Sequence, residues 1–149
     1  MIYQTTIEPR YAETDQMGII YHANYIVWFE IARTKLMDIM DFDYAQVEAK
    51  GFFFPVLRME ARYHKPAVYG RAVSVSCLIP KYTGVRICYE YEVRDKATNE
   101  LLVTGYSESG VTDKTMRVTN LARAYPEFDA AIREYRDKCL AYKQKKASE

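Results

Sequence analysis

The sequence holds no apolar run approaching the about 18 residues of a membrane-spanning helix. Its start lacks a charged segment followed by a short apolar one, so no secretory leader is expected and the predicted location is the cytoplasm. Net charge is nearly absent too: 21 Lys and Arg against 20 Asp and Glu leave a formal +1 at pH 7. That balance implies neither nucleic acid nor an anionic membrane as partner, and any basic site must be local. Cys77, Cys88 and Cys139 are widely spaced and form no Cys-x-x-Cys or other metal-ligand pattern. They are expected as reduced thiols, and neither a metal nor a cofactor is predicted. Internal repeats and low-complexity segments are also missing.

What is present fits one domain: 149 residues bury about two-thirds of their unfolded surface in a single core. Aromatics are abundant, with 14 Tyr and 6 Phe. Tyrosine suits half-buried strands and interfaces where one end of the ring stays wet, which points to an oligomer or, failing that, to a tyrosine-rich β-surface.

The densest stretch runs from Tyr11 to Arg33. Asp15 closes a strand-like run, Gly18 follows in the turn Gln16-Met17-Gly18, and His22 and Asn24 introduce a strongly apolar helix. Ile2 to Thr14 is predicted as a strand, with Pro9 marking an edge or a bulge. From His22 to about Met40 the pattern is helical, and Tyr25, Ile26, Val27, Trp28 and Phe29 in succession demand cover on most sides. Phe29, Ala32, Leu36 and Met40 keep the helical period, and Glu30 and Arg33 are spaced to pair across one turn.

Asp43 fits the N-cap of a short helix, Tyr44 to Lys50, closed by Gly51. A strand follows with Leu57, Met59, Ala61 and Tyr63 on one face and Arg58, Glu60, Arg62 and His64 on the other. Val73, Val75, Cys77 and Ile79 mark the next strand, Val85, Ile87, Tyr89, Tyr91 and Val93 another, and a last one runs from about Leu101 to Thr112. Short turns between them require antiparallel pairing. A final helix starts at Tyr125-Pro126-Glu127, carries the stripe Phe128, Ile132, Tyr135, Cys139, and is expected to fray in the lysine-rich tail. The sum is an α+β fold, one curved antiparallel sheet around a long helix that either curls about it or shares its cover with a second subunit.

The run Thr14-Asp15-Gln16-Met17-Gly18-Ile19-Ile20-Tyr21-His22-Ala23-Asn24-Tyr25, with Phe29-Glu30 and Ala32-Arg33 after it, resembles the 4-hydroxybenzoyl-CoA thioesterase family of hotdog-fold acyl-CoA thioesterases. Arg62-Tyr63-His64-Lys65-Pro66-Ala67-Val68-Tyr69-Gly70 is a second match, and the resemblance spans nearly the whole chain. It implies the hotdog fold, homodimers often assembled into tetramers, active sites at the subunit interface, and hydrolysis of an acyl-CoA, or an acyl-carrier-protein thioester, to acid and free thiol.

By the same resemblance Asp15 is the catalytic carboxylate and the backbone N–H of His22 the oxyanion donor. A thioester is already electrophilic, so a base or nucleophile plus a donor for its carbonyl oxygen suffices. Tyr21, Tyr25 and Trp28 are expected against the substrate. Cationic side chains should hold the CoA phosphates; where the family has basic residues, this chain has Lys81 and Arg86 around one hairpin and Arg117 before the last helix.

Plainer readings stand beside these. Asp15 by itself also fits a turn residue capping Gly18, Glu13 a solvated charge, and Asn24 a first-turn cap. Glu30 is either a second active-site carboxylate or the partner of Arg33, and His64 is most simply an exposed strand residue. The competing function is a non-catalytic acyl-CoA or acyl-carrier-protein binding module; a hotdog dehydratase fits the motif less well. The acyl group itself is not specified, since Phe52, Phe53, Phe54, Trp28 and Tyr25 suit an aromatic or an aliphatic pocket equally.

Overall fold

The computed structural model describes residues 2–149. Strands β1 (Gln4–Ile7), β2 (Val56–Tyr63), β3 (Val73–Tyr82), β4 (Arg86–Asp95) and β5 (Leu101–Gly110) form one antiparallel sheet in the order β1-β3-β4-β5-β2. The helices are α1 (Asn24–Ile39), α2 (Tyr44–Ala49), α3 (Leu121–Ala124) and α4 (Pro126–Ala147).

Alternation decides the inner face. Val73, Val75, Cys77 and Ile79 on β3 and Ile87, Tyr89, Tyr91 and Val93 on β4 are buried, as a period of two requires. Helix α1 lies on that face, where Phe29 stacks on Tyr91 with ring centroids 4.4 Å apart and planes 12° from parallel. Gly105 on β5 stands opposite Tyr91. A Cβ there would come 2.5 Å from the Phe29 ring, so Gly105 is the notch that lets the helix settle onto the sheet. This is the α+β hotdog arrangement, with α4 as an added C-terminal helix.

Helix α4 closes one edge of the sheet. Strand β1 pairs with β3 only from Val73 to Ser76. Beyond it the Tyr135 hydroxyl donates to the Cys77 carbonyl (2.6 Å) and accepts the Tyr3 N–H (3.1 Å). Phe128, Ile132, Tyr135 and Cys139 are buried as predicted. The lysine-rich tail differs from expectation: α4 stays helical through Ala147, and Lys143 pairs with Glu90 on the sheet at 2.6 Å.

Other departures have local causes. The first strand stops at Ile7, because past Pro9 the chain tightens into a 3₁₀ turn, Tyr11–Glu13, in which the Glu13 carboxylate accepts the Arg10 N–H at 2.7 Å. Helix α1 begins at Asn24, after a turn at 22–23. One sheet covers only one side of it: Trp28, Phe29, Ala32 and Leu36 are wholly buried, whereas Ile26 and Val27 remain 40% and 45% exposed. Strand β2 is equally bare. Its predicted inner residues Leu57 and Tyr63 are exposed, since the strand is an edge with nothing beyond it and carries a bulge between Val56 and Arg58. Arg33 does not pair with Glu30; it turns inward, its Nη1 donating to the Tyr91 hydroxyl (2.9 Å), which shares a 2.6 Å hydrogen bond with Ser107. Glu30 is exposed.

Candidate active site

Asp15 sits in a tight turn. Its N–H donates to the Ile19 carbonyl (2.9 Å), its carbonyl accepts the Gly18 N–H (3.0 Å), and Gly18 takes φ +79°, which a glycine adopts without strain. One carboxylate oxygen accepts the Met17 N–H at 2.8 Å. The turn-capping reading of Asp15 is therefore true of its backbone and of one oxygen. Its other oxygen has no protein partner among the described residues, and Asp15 lines a cavity.

The start of α1 is built without a cap. Ala23 occupies the N-cap position with no side-chain hydrogen bond, and Asn24, expected to cap, instead donates its Nδ2–H to the Glu13 carbonyl at 2.8 Å. Asn24 N–H closes onto the Tyr21 carbonyl (2.9 Å) and Tyr21 N–H onto the Glu13 carbonyl (2.8 Å). Between them the His22 N–H has no acceptor among the described residues. An unpartnered N–H just before a helix carries positive partial charge and is suited to an anionic oxygen. The Tyr63 hydroxyl donates to the His22 carbonyl at 3.0 Å, fixing the same residue from the sheet side.

Asp15 and His22 both line one cavity of about 240 Å³. Its floor comes from the connector between β2 and β3, which passes the N-terminus of α1: Ile20 N–H donates to the Ala67 carbonyl, and Ala67 N–H to the Tyr25 hydroxyl, each at 3.0 Å. Met17, Ile19, Ile20, Tyr25 and Pro66 supply apolar wall, and Tyr63, His64 and Lys65 the polar rim. Burial raises the Tyr25 phenol above its ordinary pKa, so it stays protonated near neutral pH. Lys65, the one cation in this lining, is paired with Glu100 at 2.7 Å.

Of the residues singled out from sequence, Asp15, His22 and Tyr25 meet in this cavity. Tyr21 stands beside it, exposed, its ring 4.4 Å from that of His22. Trp28 is fully buried, and its indole N–H is taken up by Glu13 at 2.9 Å. Glu13, expected to be solvated, is buried. Lys81, Arg86 and Arg117 are not brought to the cavity of their own chain. Arg86 stands opposite Gly110, whereas Tyr63 stands opposite Val103, seven residues along β5; at about 3.3 Å per residue that is roughly 23 Å. Arg86 there approaches Glu108 at 3.6 Å. Sequence reasoning missed Tyr63, His64 and Lys65 as cavity residues, although they lie in the Arg62–Gly70 match that resembled the family.

A hotdog sheet with this motif at the head of its central helix is the architecture of thioesterase-like proteins. The chain belongs to the Thioesterase-like superfamily, which matches residues 9–135. It is 40% identical over 126 residues to the Bacillus subtilis protein named "Putative acyl-CoA thioesterase YneP", covering 84% of this chain and 91% of that one. The crystal structure of DHNA-CoA thioesterase from Staphylococcus aureus superposes with TM-score 0.84 at 37% identity, covering 88% of each chain. Slr0204, a 1,4-dihydroxy-2-naphthoyl-CoA thioesterase from Synechocystis, shares the fold with TM-score 0.79 at 16% identity, over 89% of this chain and 96% of that one.

Proposed function

We propose that this chain is an acyl-CoA thioesterase that hydrolyses a thioester to a carboxylic acid and free CoA, with Asp15 as base or nucleophile and the His22 N–H as oxyanion donor. The observation that carries the reading is the meeting, in one cavity, of a carboxylate with a free oxygen and an unpartnered N–H at the head of a helix. A thioester whose carbonyl oxygen accepts the His22 N–H presents its carbon to that cavity. There Asp15 either takes a proton from an attacking water, or attacks the carbon itself to form a mixed anhydride that water then hydrolyses to the acid, and in both routes the thiolate of CoA leaves as the tetrahedral intermediate collapses. The Tyr25 hydroxyl already accepts the Ala67 N–H, so its own proton is free to point into the cavity and contact the acyl group. Kinship with proteins named as acyl-CoA and DHNA-CoA thioesterases supports the substrate class.

The working unit is a homodimer, itself a building block for a tetramer. Strand β2 offers a whole unpaired edge, and the bare Ile26 and Val27 on α1 need cover. Antiparallel pairing of β2 with its copy sets the Val56 end of one chain beside the Tyr63 end of the other. Lys81, Arg86 and Arg117 then serve the partner's cavity, where they meet the phosphates of CoA.

The test is release of free thiol from a panel of acyl-CoA and acyl-carrier-protein thioesters, short, long and aromatic, DHNA-CoA among them. Turnover of at least one, lost in Asp15→Asn, is expected. Tight binding with no thiol released across the panel would make the chain a binding module instead.

A further inference from the structure

Glu13, two residues before Asp15, is only 6% exposed. Its Oε2 accepts the Trp28 Nε1–H at 2.9 Å and its Oε1 the Arg10 N–H at 2.7 Å, with Arg10 Nε 3.5 Å away. The carbonyl of the same residue accepts both the Tyr21 N–H and the Asn24 Nδ2–H, each at 2.8 Å. One residue thus ties the turn that carries Asp15 to Tyr21 and Asn24, on either side of His22-Ala23, and to the second turn of α1. Keeping a carboxylate out of water is costly unless every lone pair is used, and a leucine would pack against an indole without that cost. What a leucine lacks is direction.

We propose that Glu13 is a positioning residue for the reaction: it holds the Asp15 carboxylate and the His22 N–H at a fixed separation, and Trp28 acts through it as the anchor on α1. The proposal rests on the thioesterase reading above. Trp28 consequently influences catalysis from the core, with its indole N–H spent on Glu13. Since a displacement of about 1 Å between reacting groups lowers a rate by roughly a hundredfold, loosening this clamp acts on kcat. Binding of CoA, which depends on the mouth of the site, is spared.

Steady-state kinetics on an acyl-CoA that the wild type turns over, below the melting transition of every protein compared, provide the test. Glu13→Ala and Trp28→Phe are expected to lower kcat about tenfold or more with KM held within about twofold. Glu13→Gln, which still offers an oxygen to the indole N–H, is expected to recover most of the loss. A folded Glu13→Ala protein with wild-type kcat, or one whose loss appears only in KM, overturns the proposal. Should Glu13→Ala not fold, Trp28→Phe decides by the same criterion, since it removes the indole donor and leaves a smaller aromatic ring in its place. Wild-type enzyme that releases no thiol, or an unchanged Asp15→Asn, removes the underlying reading and the proposal with it, and is recognised separately because no Glu13 variant is involved.

Discussion

The two ends of the sheet treat their polar groups in opposite ways. At the end marked by Tyr82 the buried hydroxyl donates to Asp129 at 2.6 Å, and Asp129 is held in turn by Arg133 at 2.9 Å. Those three side chains satisfy one another. At the end marked by Tyr63, one oxygen of Asp15 and the His22 N–H have no protein partner among the described residues. The difference is chemical, since both ends are built from the same strands and lined with tyrosine. Satisfied groups add stability, and groups left open by a well-held backbone are available for substrate.

The largest effect that probes this contrast is at Asp15. Asparagine keeps an oxygen for the Met17 N–H, so Asp15→Asn should fold and melt as the wild type does. It removes the charge, and kcat should fall at least about a hundredfold. A matched loss of melting temperature would mean that Asp15 belongs with the satisfied groups. Gly105→Ala comes next and should move both readouts. The new methyl meets the Phe29 ring, so α1 must lift from the sheet, at a cost of roughly 1–3 kcal/mol in denaturant melts, and the cavity at the helix head shifts with it. Smaller still is Tyr82→Phe, expected to cost about 1 kcal/mol through the lost hydrogen bond, with kcat unchanged because the hydroxyl is spent on Asp129 in the interior.

Most of the fold was legible because it rests on local periodicity. The alternation in β3 and β4, the stripe on α4 and the cap at Asp43, whose carboxylate accepts the Ala45 N–H, all reduce to short-range rules. Strand β2 and helix α1 read as more buried than they are, since hydrophobic pattern reports what wants cover and is silent on whether the same chain supplies it. In the site, Asp15 and His22 stood out through a motif. Glu13 did not: it read as a solvated charge on a strand, and the 3₁₀ turn that carries it inward is stabilised by its own carboxylate, a feedback no period records. Tyr63, His64 and Lys65 reach the cavity only because the sheet order carries β2 to the far edge and its connector back beneath α1.

Asp95 separates position from partnering, and gives the mildest test. It ends β4 opposite Val73, on the same side of the sheet as the cavity, yet it is a fully used carboxylate. Arg71 Nε donates to it at 2.8 Å, and the N–H groups of Ala97 and Thr98 add bonds of 2.9 and 3.0 Å. The Arg71 guanidinium, followed by those backbone donors, lowers its pKa to about 2 from an ordinary 3.8. A carboxyl whose folded pKa lies below its unfolded one contributes stability above the unfolded value and loses it as pH falls through the folded one. Its window therefore runs from about pH 4 down to about pH 2. Urea melts of the wild type and Asp95→Asn should differ by a constant amount near neutral pH and converge through that window. If the two curves stay parallel down to about pH 2, Asp95 draws nothing from its partners, and full hydrogen bonding at this end of the sheet would not mark a structural carboxylate off from a catalytic one. With convergence at Asp95 and an unaltered melt at Asp15, what sets the two carboxylates apart is the oxygen left without a partner.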